Sequence, residues 1–240
     1  MNNLVSGQSI SAVAAMIGDA ARANILFALM NGKALTATEL GHHAGVSAPT
    51  ASGHLAKLLD GQLITLERQG RHRYYRLASP AVAEALEGLS NLAASGPKRH
   101  RPTGPKDAAM RQARTCYDHM AGRLAVAITD ALTARDLIVV EDRSGMITDE
   151  GRRFFADFGI DLDDGPKSAR PLCRTCLDWS ERRMHLGGRL GASLLARSLE
   201  LHWVRPANSS RSLTITRDGE RGFQEQFGIT AETLVTQPKA

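Results

Sequence analysis

An α+β fold weighted towards helix is what the sequence predicts, and three observations lead to it. Apolar residues recur at spacings of three and four in many segments, as they do in helices with one buried face. Short apolar runs with turn residues between them interrupt those segments, as in β-hairpins. The second half of the chain repeats its own order of residues, which predicts two similar units there.

The elements follow in chain order. Val13, Met16, Ile17 and Ala20 make an apolar stripe near the start. Glu39-Leu40-Gly-His-His-Ala44 before Gly45 predicts a short helix that a glycine ends. The next helix runs from Ser47, a hydroxyl N-cap, to Leu59, with Pro49 tolerated in its first turn. Ala51, Leu55 and Leu58 share its inward face. Pro49, Thr50, Gly53, Ala56 and Lys57, flanked by Ser52 and His54, face outward with no bulky apolar side chain, so this face can enter a major groove. Leu63, Ile64 and Leu66 predict a strand, Gln69-Gly70 a turn, and His72 to Leu77 the return strand. That hairpin sets Arg68, Arg71, Arg73 and Arg76 against a single acid, Glu67, which suits contact with phosphates. Helix, turn, helix and basic hairpin together outline a winged helix-turn-helix. The expected DNA-binding residues are Ser47, Pro49, Thr50, Ser52, Gly53, His54, Lys57, Arg68, Arg71, His72 and Arg73.

A further helix over 80–93 carries a second apolar stripe, Val82, Leu86 and Leu89. Residues 95–107 then break helical periodicity with three prolines and two glycines and predict a basic linker. The expected organisation is a DNA-binding and dimerisation domain at 1–94, this linker, and a sensory domain at 108–240.

Within 108–240, Arg114-Thr-Cys116 corresponds to Arg174-Thr-Cys176, and His119 through Leu124 to His185 through Leu190. Ile147-Thr148 corresponds to Ile215-Thr216, and Phe158-Gly-Ile160 to Phe227-Gly-Ile229. The offset grows along the chain from 60 to 66, 68 and 69, as small insertions in a duplicated segment would produce. The repeats, at about 112–160 and 172–229, are each expected to be a helix–β-hairpin–helix unit, itself winged-helix-like. The first helices are placed at roughly Cys116 to Leu132 and Arg174 to Leu199.

Residues 12–94 resemble the arsenic-repressor (ArsR-type) family of bacterial winged-helix regulators. The resemblance rests on Ile17-Gly-Asp-Ala-Ala-Arg22, Ile25-Leu26, Glu39-Leu40, Val46-Ser47, Pro49-Thr50, Ser52, His54-Leu55, Leu58 and Arg71-His-Arg-Tyr-Tyr-Arg-Leu77. It implies that Ser47, Thr50, Ser52 and His54 lie where the recognition helix meets DNA, and Arg71 and Arg73 where the wing does. It also implies that the stripes at 13–20 and 82–89 form a homodimer interface, and that the protein represses until a signal releases it. The chain departs from the family at its familiar metal sites. Leu35-Thr-Ala-Thr-Glu-Leu40 lacks a Cys-x-Cys pair, and the helix over 80–93 holds no His or Cys.

The signal is therefore sought in the second half. Cys116 and Cys176 correspond, each is expected near a helix start, and each follows an arginine by two residues; both conditions would favour thiolate. Cys173 completes a Cys-x-x-Cys, and a pseudo-twofold packing would let all three cysteines converge. Three thiolates suit an arsenite-like metalloid, and thiolates with His119 and His185 suit zinc. A dithiol can instead be an oxidation switch, or the cysteines can simply pack. Asp118 and Asp178 are open in the same way, as helix caps or as parts of a polar pocket.

Whole-chain quantities narrow the class. A net charge of +5 concentrates in the hairpin and in Pro97-Lys-Arg-His-Arg-Pro102, which suits a polyanion. Three cysteines do not make a disulfide scaffold, and no apolar run reaches membrane-spanning length, so a cytoplasmic protein is expected. Leu186-Gly-Gly-Arg-Leu-Gly191 falls in a segment read as helix and makes neither a dinucleotide fingerprint nor a phosphate loop, and no catalytic motif appears elsewhere, so no enzyme is expected. The sequence reads as a homodimeric, sequence-specific DNA-binding regulator, a repressor released by thiol redox, metal or metalloid, or a small inducer. The alternative is a thiol-dependent or metal-handling protein that uses its winged helix for partner binding.

Overall fold

The computed structural model describes residues 6–95, 108–141, 144–163, 171–207 and 210–235. Contacts divide the chain into two compact units, Met1–Leu89 and Ser90–Ala240.

The first unit opens with α1 (Gly7–Ile17) and α2 (Ala20–Leu29), separated by Gly18-Asp19. Asp19 caps α2 by accepting the Arg22 N–H at 2.9 Å. The Arg22 guanidinium reaches back to the carbonyls of Met16 (2.6 Å) and Ala15 (2.9 Å), which the end of α1 leaves without helical partners. The Gly-Asp-x-x-Arg of the sequence is thus a two-helix joint. After β1 (Leu35–Thr36), α3 (Ala37–Ala44) starts on a reciprocal Thr36–Glu39 capping box. It ends at Gly45, whose φ of +66° lets its N–H and that of Val46 meet the last carbonyls of the helix. α4 (Ala48–Asp60) is capped by Ser47, and its Ala51, Leu55 and Leu58 are buried as the spacing predicts. β2 (Ile64–Gln69) and β3 (His72–Leu77) pair antiparallel from Ile64↔Leu77 to Gln69↔His72. β1 adds to the far edge of β3, giving the order β1-β3-β2; two residues carry too little periodicity to be foreseen. α5 (Pro80–Ser95) carries the chain out of this unit. Apart from Ser95, the expected linker lies outside the described residues, as does the basic run from Pro97 to Pro102.

The second unit departs from its expected element order. After α6 (Ala108–Gln112) come β4 (Arg114–Cys116) and β5 (His119–Ala121), joined through Tyr117-Asp118, and only then α7 (Arg123–Ala134). β6 (Ile138–Glu141), β7 (Ser144–Ile147) and α8 (Asp149–Asp157) follow. The order then recurs as β8 (Arg174–Leu177), β9 (Met184–Gly187), α9 (Gly188–Glu200), β10 (Val204–Pro206), β11 (Leu213–Ile215) and α10 (Arg217–Phe227), with α11 (Ala231–Val235) last. The segments read as single helices from Cys116 and from Arg174 are therefore hairpins followed by helices. Two glycines decide this. Gly122 (φ +87°) and Gly188 (φ +71°) join strand to helix in a conformation that a helix interior excludes. A Cβ at Gly122 would lie 2.7 Å from the Arg111 carbonyl oxygen, and one at Gly188 2.8 Å from that of Pro171.

The hairpins interlock. β6-β7-β8-β9 form one sheet, joined by the Ser144↔Arg174 pair, and Arg114 pairs with Ser212 beside β11 in the same sense. α7 packs on β9 while α9 packs on β5. A single core results, in which Leu124, Ile128, Phe155, Leu190, Leu194 and Phe223 are buried together.

One joint recurs three times. α4, α7 and α9 each end at a residue of positive φ, Gln62 (+54°), Asp136 (+53°) and His202 (+56°). The following N–H returns to a carbonyl five residues back, Leu63 to Leu58, Leu137 to Leu132 and Trp203 to Ser198, at 2.9 to 3.0 Å. A strand and its hairpin partner follow each time. Thr148 and Thr216 then cap α8 and α10 identically, accepting from Gly151 (2.9 Å) and Gly219 (3.0 Å). Each threonine also donates back to the positive-φ residue, Asp136 (2.9 Å) or His202 (2.7 Å).

Candidate functional site

The outward face of α4 is set by its buried one. With Ala51, Leu55 and Leu58 pinned in the core, Pro49, Thr50, Ser52, Gly53 and Lys57 are exposed, as is the cap Ser47. Ser47 and Thr50 share a hydroxyl contact at 2.9 Å, and Ser52 donates to the Ala48 carbonyl at 3.0 Å, so all three hydroxyls hold defined positions. α3 can lie close because Gly41 has no side chain: a Cβ there would sit 3.3 Å from that of Ala51. His54 differs from its neighbours. It is half-buried, with Nδ1 3.7 Å from the Asp19 carboxylate, and so points into the α2 cap rather than out with the exposed set.

On the hairpin β2–β3, Arg68, Arg71, His72 and Arg73 are all exposed. Arg76 pairs with Glu67 at 2.6 Å. Arg68 and Arg73 stand directly opposite in the register, and no acid pairs with them or with Arg71 among the described residues. Like charges facing each other across two strands repel, and a bound anion would relieve that repulsion.

The second unit brings four of the five expected sensor residues together. Cys116 and His119 face each other across β4–β5, and Cys176 and His185 across β8–β9. One ligand atom from each of the four lies within 4.8 Å of the other three. The two sulfurs are 4.0 Å apart, in hydrogen-bonding contact and without a disulfide between them. The imidazoles stack with ring centroids 5.2 Å apart. Cys116, His119 and His185 are buried, and Cys176 is half-buried. His119 Nε2 and both nitrogens of His185 find no hydrogen-bond partner. Asp118 stands 3.2 Å from His119 Nδ1, and Asp178 stands 3.8 Å from His185 Nδ1, beyond hydrogen-bonding reach.

Two expectations fail here. Cys173 does not join the other cysteines. It packs in the core against β7, where a side chain at Gly145 would collide with its sulfur, and burial pushes its thiol up to about 11. Nor do Cys116 and Cys176 stand at helix N-termini, because both lie on strands. The Cys176 thiol is held far below its ordinary range by the Cys116 thiol first, against the cost of burial, and then by the two imidazoles. Burial alone would lower the pKa of His119, but Asp118 and Cys176 outweigh it and raise it.

Arg114 is committed elsewhere. Fully buried, it pairs with Asp178 at 2.9 Å, donates to Ser180 at 3.0 Å and lies 4.6 Å over the Trp179 ring. The Asp178 carboxylate also accepts the N–H groups of Gly122 (2.6 Å), Ser180 (2.9 Å) and Glu181 (3.0 Å). It thereby fixes the strand-to-helix joint of one hairpin from the turn of the other. Leu186-Gly-Gly-Arg-Leu-Gly191 is a strand-to-helix joint as well, not a helix interior. Cβ atoms at Gly187 and Gly191 would come 3.4 Å from His119 Nε2 and 3.1 Å from its Cβ, so these glycines make room for His119. The Cys-x-x-His spacing at 116–119 is the signal in the sequence for this cluster; its second half, Cys176 and His185, is spread over a longer turn.

Comparison with known proteins places the chain among regulators. A family model described as "MarR family" matches residues 19–73. The uncharacterized HTH-type transcriptional regulator YdfF of Bacillus subtilis is 36% identical over 221 residues, 92% of this chain and 98% of that one. The arsenical resistance operon repressor of Staphylococcus aureus is 29% identical over 86 residues, 36% of this chain and 82% of that one. Among solved structures, the homodimeric winged helix-turn-helix domain of Mb0332 from Mycobacterium bovis is 22% identical. It covers 43% of this chain and all of its own, at a TM-score of 0.36.

Proposed function

Because the chain belongs to the HTH-type transcriptional regulators, we propose that it is a homodimeric repressor of the arsenic-repressor type, binding specific duplex DNA in the cytoplasm. The observation that carries this reading is the exposed α4 face beside a hairpin whose opposed arginines, Arg68 and Arg73, lack acidic partners among the described residues. Thr50, Ser52, Gly53 and Lys57 meet base edges in the major groove, and Ser47 and Pro49 set the helix terminus at the backbone. Arg68, Arg71, His72 and Arg73 hold phosphates. His54 orients α4 against Asp19.

The dimer reading is supported by α1 and α5. α1 carries no charge and buries none of its residues, and Ile10 is 61% exposed. Leu89 and Leu92 are exposed on α5, Leu92 at 70%. A helix of this length is marginal by itself in water, so a second copy covering it accounts for its presence. The second unit is read as a duplicated pair of winged-helix-like segments, supported by the joint it shares with α4–β2, and as the part that receives the releasing signal.

Footprinting on the DNA upstream of the protein's own gene tests the reading. Two protected half-sites about 10–10.5 base pairs apart, or a multiple of that spacing, are expected. Protection no better than on unrelated DNA would overturn it.

A further inference from the structure

We propose that Cys116, His119, Cys176 and His185 form a closed, tetrahedral site for a thiophilic divalent cation of the zinc class, which ties hairpin β4–β5 to hairpin β8–β9. The proposal does not depend on DNA binding.

The geometry comes first. Each hairpin contributes one cysteine and one histidine from directly opposed positions, and the four ligand atoms lie within 4.8 Å of one another. The sulfur separation discriminates between uses of two cysteines. A disulfide requires about 2.05 Å. Two thiolates, each about 2.3 Å from one tetrahedral ion, stand about 3.8 Å apart. The observed 4.0 Å matches the second.

Polar bookkeeping agrees. Three imidazole nitrogens in a buried site have no hydrogen-bond partner, an arrangement that folded proteins seldom tolerate. Coordination would satisfy one nitrogen on each ring. Asp118, against His119 Nδ1, leaves the Nε2 lone pair directed inward, as carboxylates behind metal-bound histidines do. Gly187 and Gly191 clear the space in which that ring sits.

The donor set selects the ion. Two thiolates and two imidazoles suit zinc or a close congener, whereas magnesium and calcium require oxygen. A metalloid taking three thiolates is not served, because Cys173 is not in the group. With four protein ligands no position is left for water or substrate, so the ion braces the fold rather than catalyses. On binding, each thiol still protonated gives its proton to solvent and its sulfur lone pair to the ion, with no change of oxidation state.

The test uses the full-length protein, reduced, stripped by chelator and titrated anaerobically with cobalt(II) as an optical stand-in. One equivalent per chain should produce near-ultraviolet thiolate-to-cobalt charge transfer and the intense visible bands of tetrahedral cobalt, both bleached by one equivalent of zinc. Cys173→Ser should behave as wild type. Asp118→Asn should keep the spectrum with affinity about 10–100-fold lower. Cys116→Ser and Cys176→Ser should each lose at least as much. A wild-type titration without charge transfer would overturn the proposal, and it needs no variant to fold. So would an unchanged spectrum in the Cys116→Ser/Cys176→Ser double variant, or arsenite held more tightly than zinc. DNA binding is measured separately, so either reading can fail alone.

Discussion

Asp178 and Arg114 join the two halves of the second unit, and single atoms carry the consequence. Burial works to raise the Asp178 carboxyl, but the Arg114 guanidinium first, then His185 and the Gly122 and Ser180 donors, outweigh it and hold it well below the usual carboxylate range. Asp178→Asn leaves a buried guanidinium unpaired and should destabilise the unit by about 3–5 kcal/mol. Urea titration followed by a probe in this unit measures that loss. The same carboxylate makes the unit acid-sensitive. A group whose folded pKa is depressed contributes fully above its unfolded pKa of about 3.9, and the contribution drains away as pH falls towards the folded value. Wild type should lose stability in that acid range more steeply than Asp178→Asn. In the first unit, Thr50→Ala should alter preference among operator sequences, whereas Arg71→Ala should weaken binding to all sequences alike. Competition with single-base operator variants separates the two effects.

At the scale of elements, the first unit is legible in the sequence and the second only in part. Ser47, Pro49, Gly45 and the 51-55-58 spacing are strong local signals that agree with one another, and α3, α4, β2 and β3 stand where those signals place them. β4–β5 and β8–β9 read as helix in the sequence because they are short and mostly buried. His119, Met120 and Ala121 are all inside, so no alternation of polar and apolar residues marks the strand. The apolar spacing of α7 and α9 runs straight back through them. The cysteine–histidine pairing is half legible: corresponding positions in the repeat point to Cys116 and Cys176 together, but the register that sets each histidine opposite its cysteine depends on turns of different length. Gly151 and Gly219 show what the helix-to-strand joints tolerate. A Cβ at either would overlap a backbone carbonyl, that of Leu137 or Trp203 respectively. Gly219→Ala should therefore cost about 1–3 kcal/mol by overpacking, and Gly151→Ala a similar amount, seen as lower thermal midpoints. Gly53→Ala, inside α4 with open space around it, should instead raise stability by about 0.5–1 kcal/mol.

At the scale of the whole molecule, the proposed function assigns each chain of a two-copy assembly a first unit that reads DNA, and the proposed metal site braces the second. Replacing Ile10 and Val13 by serine should shift sedimentation towards the monomer and weaken operator binding, because one recognition helix retains only half of the DNA interactions. The proposed DNA contact rests on the β2–β3 hairpin gripping phosphates. Its most direct measurement is the salt dependence of binding to the protected upstream DNA, for wild type and for Arg68→Ala/Arg71→Ala/Arg73→Ala. Removing one cation from a phosphate reduces the steepness of log K against log salt by about 0.9. The triple variant should therefore be flatter by about 2.7 per chain engaged, three arginines at that value. An equal slope in the two proteins would contradict the account.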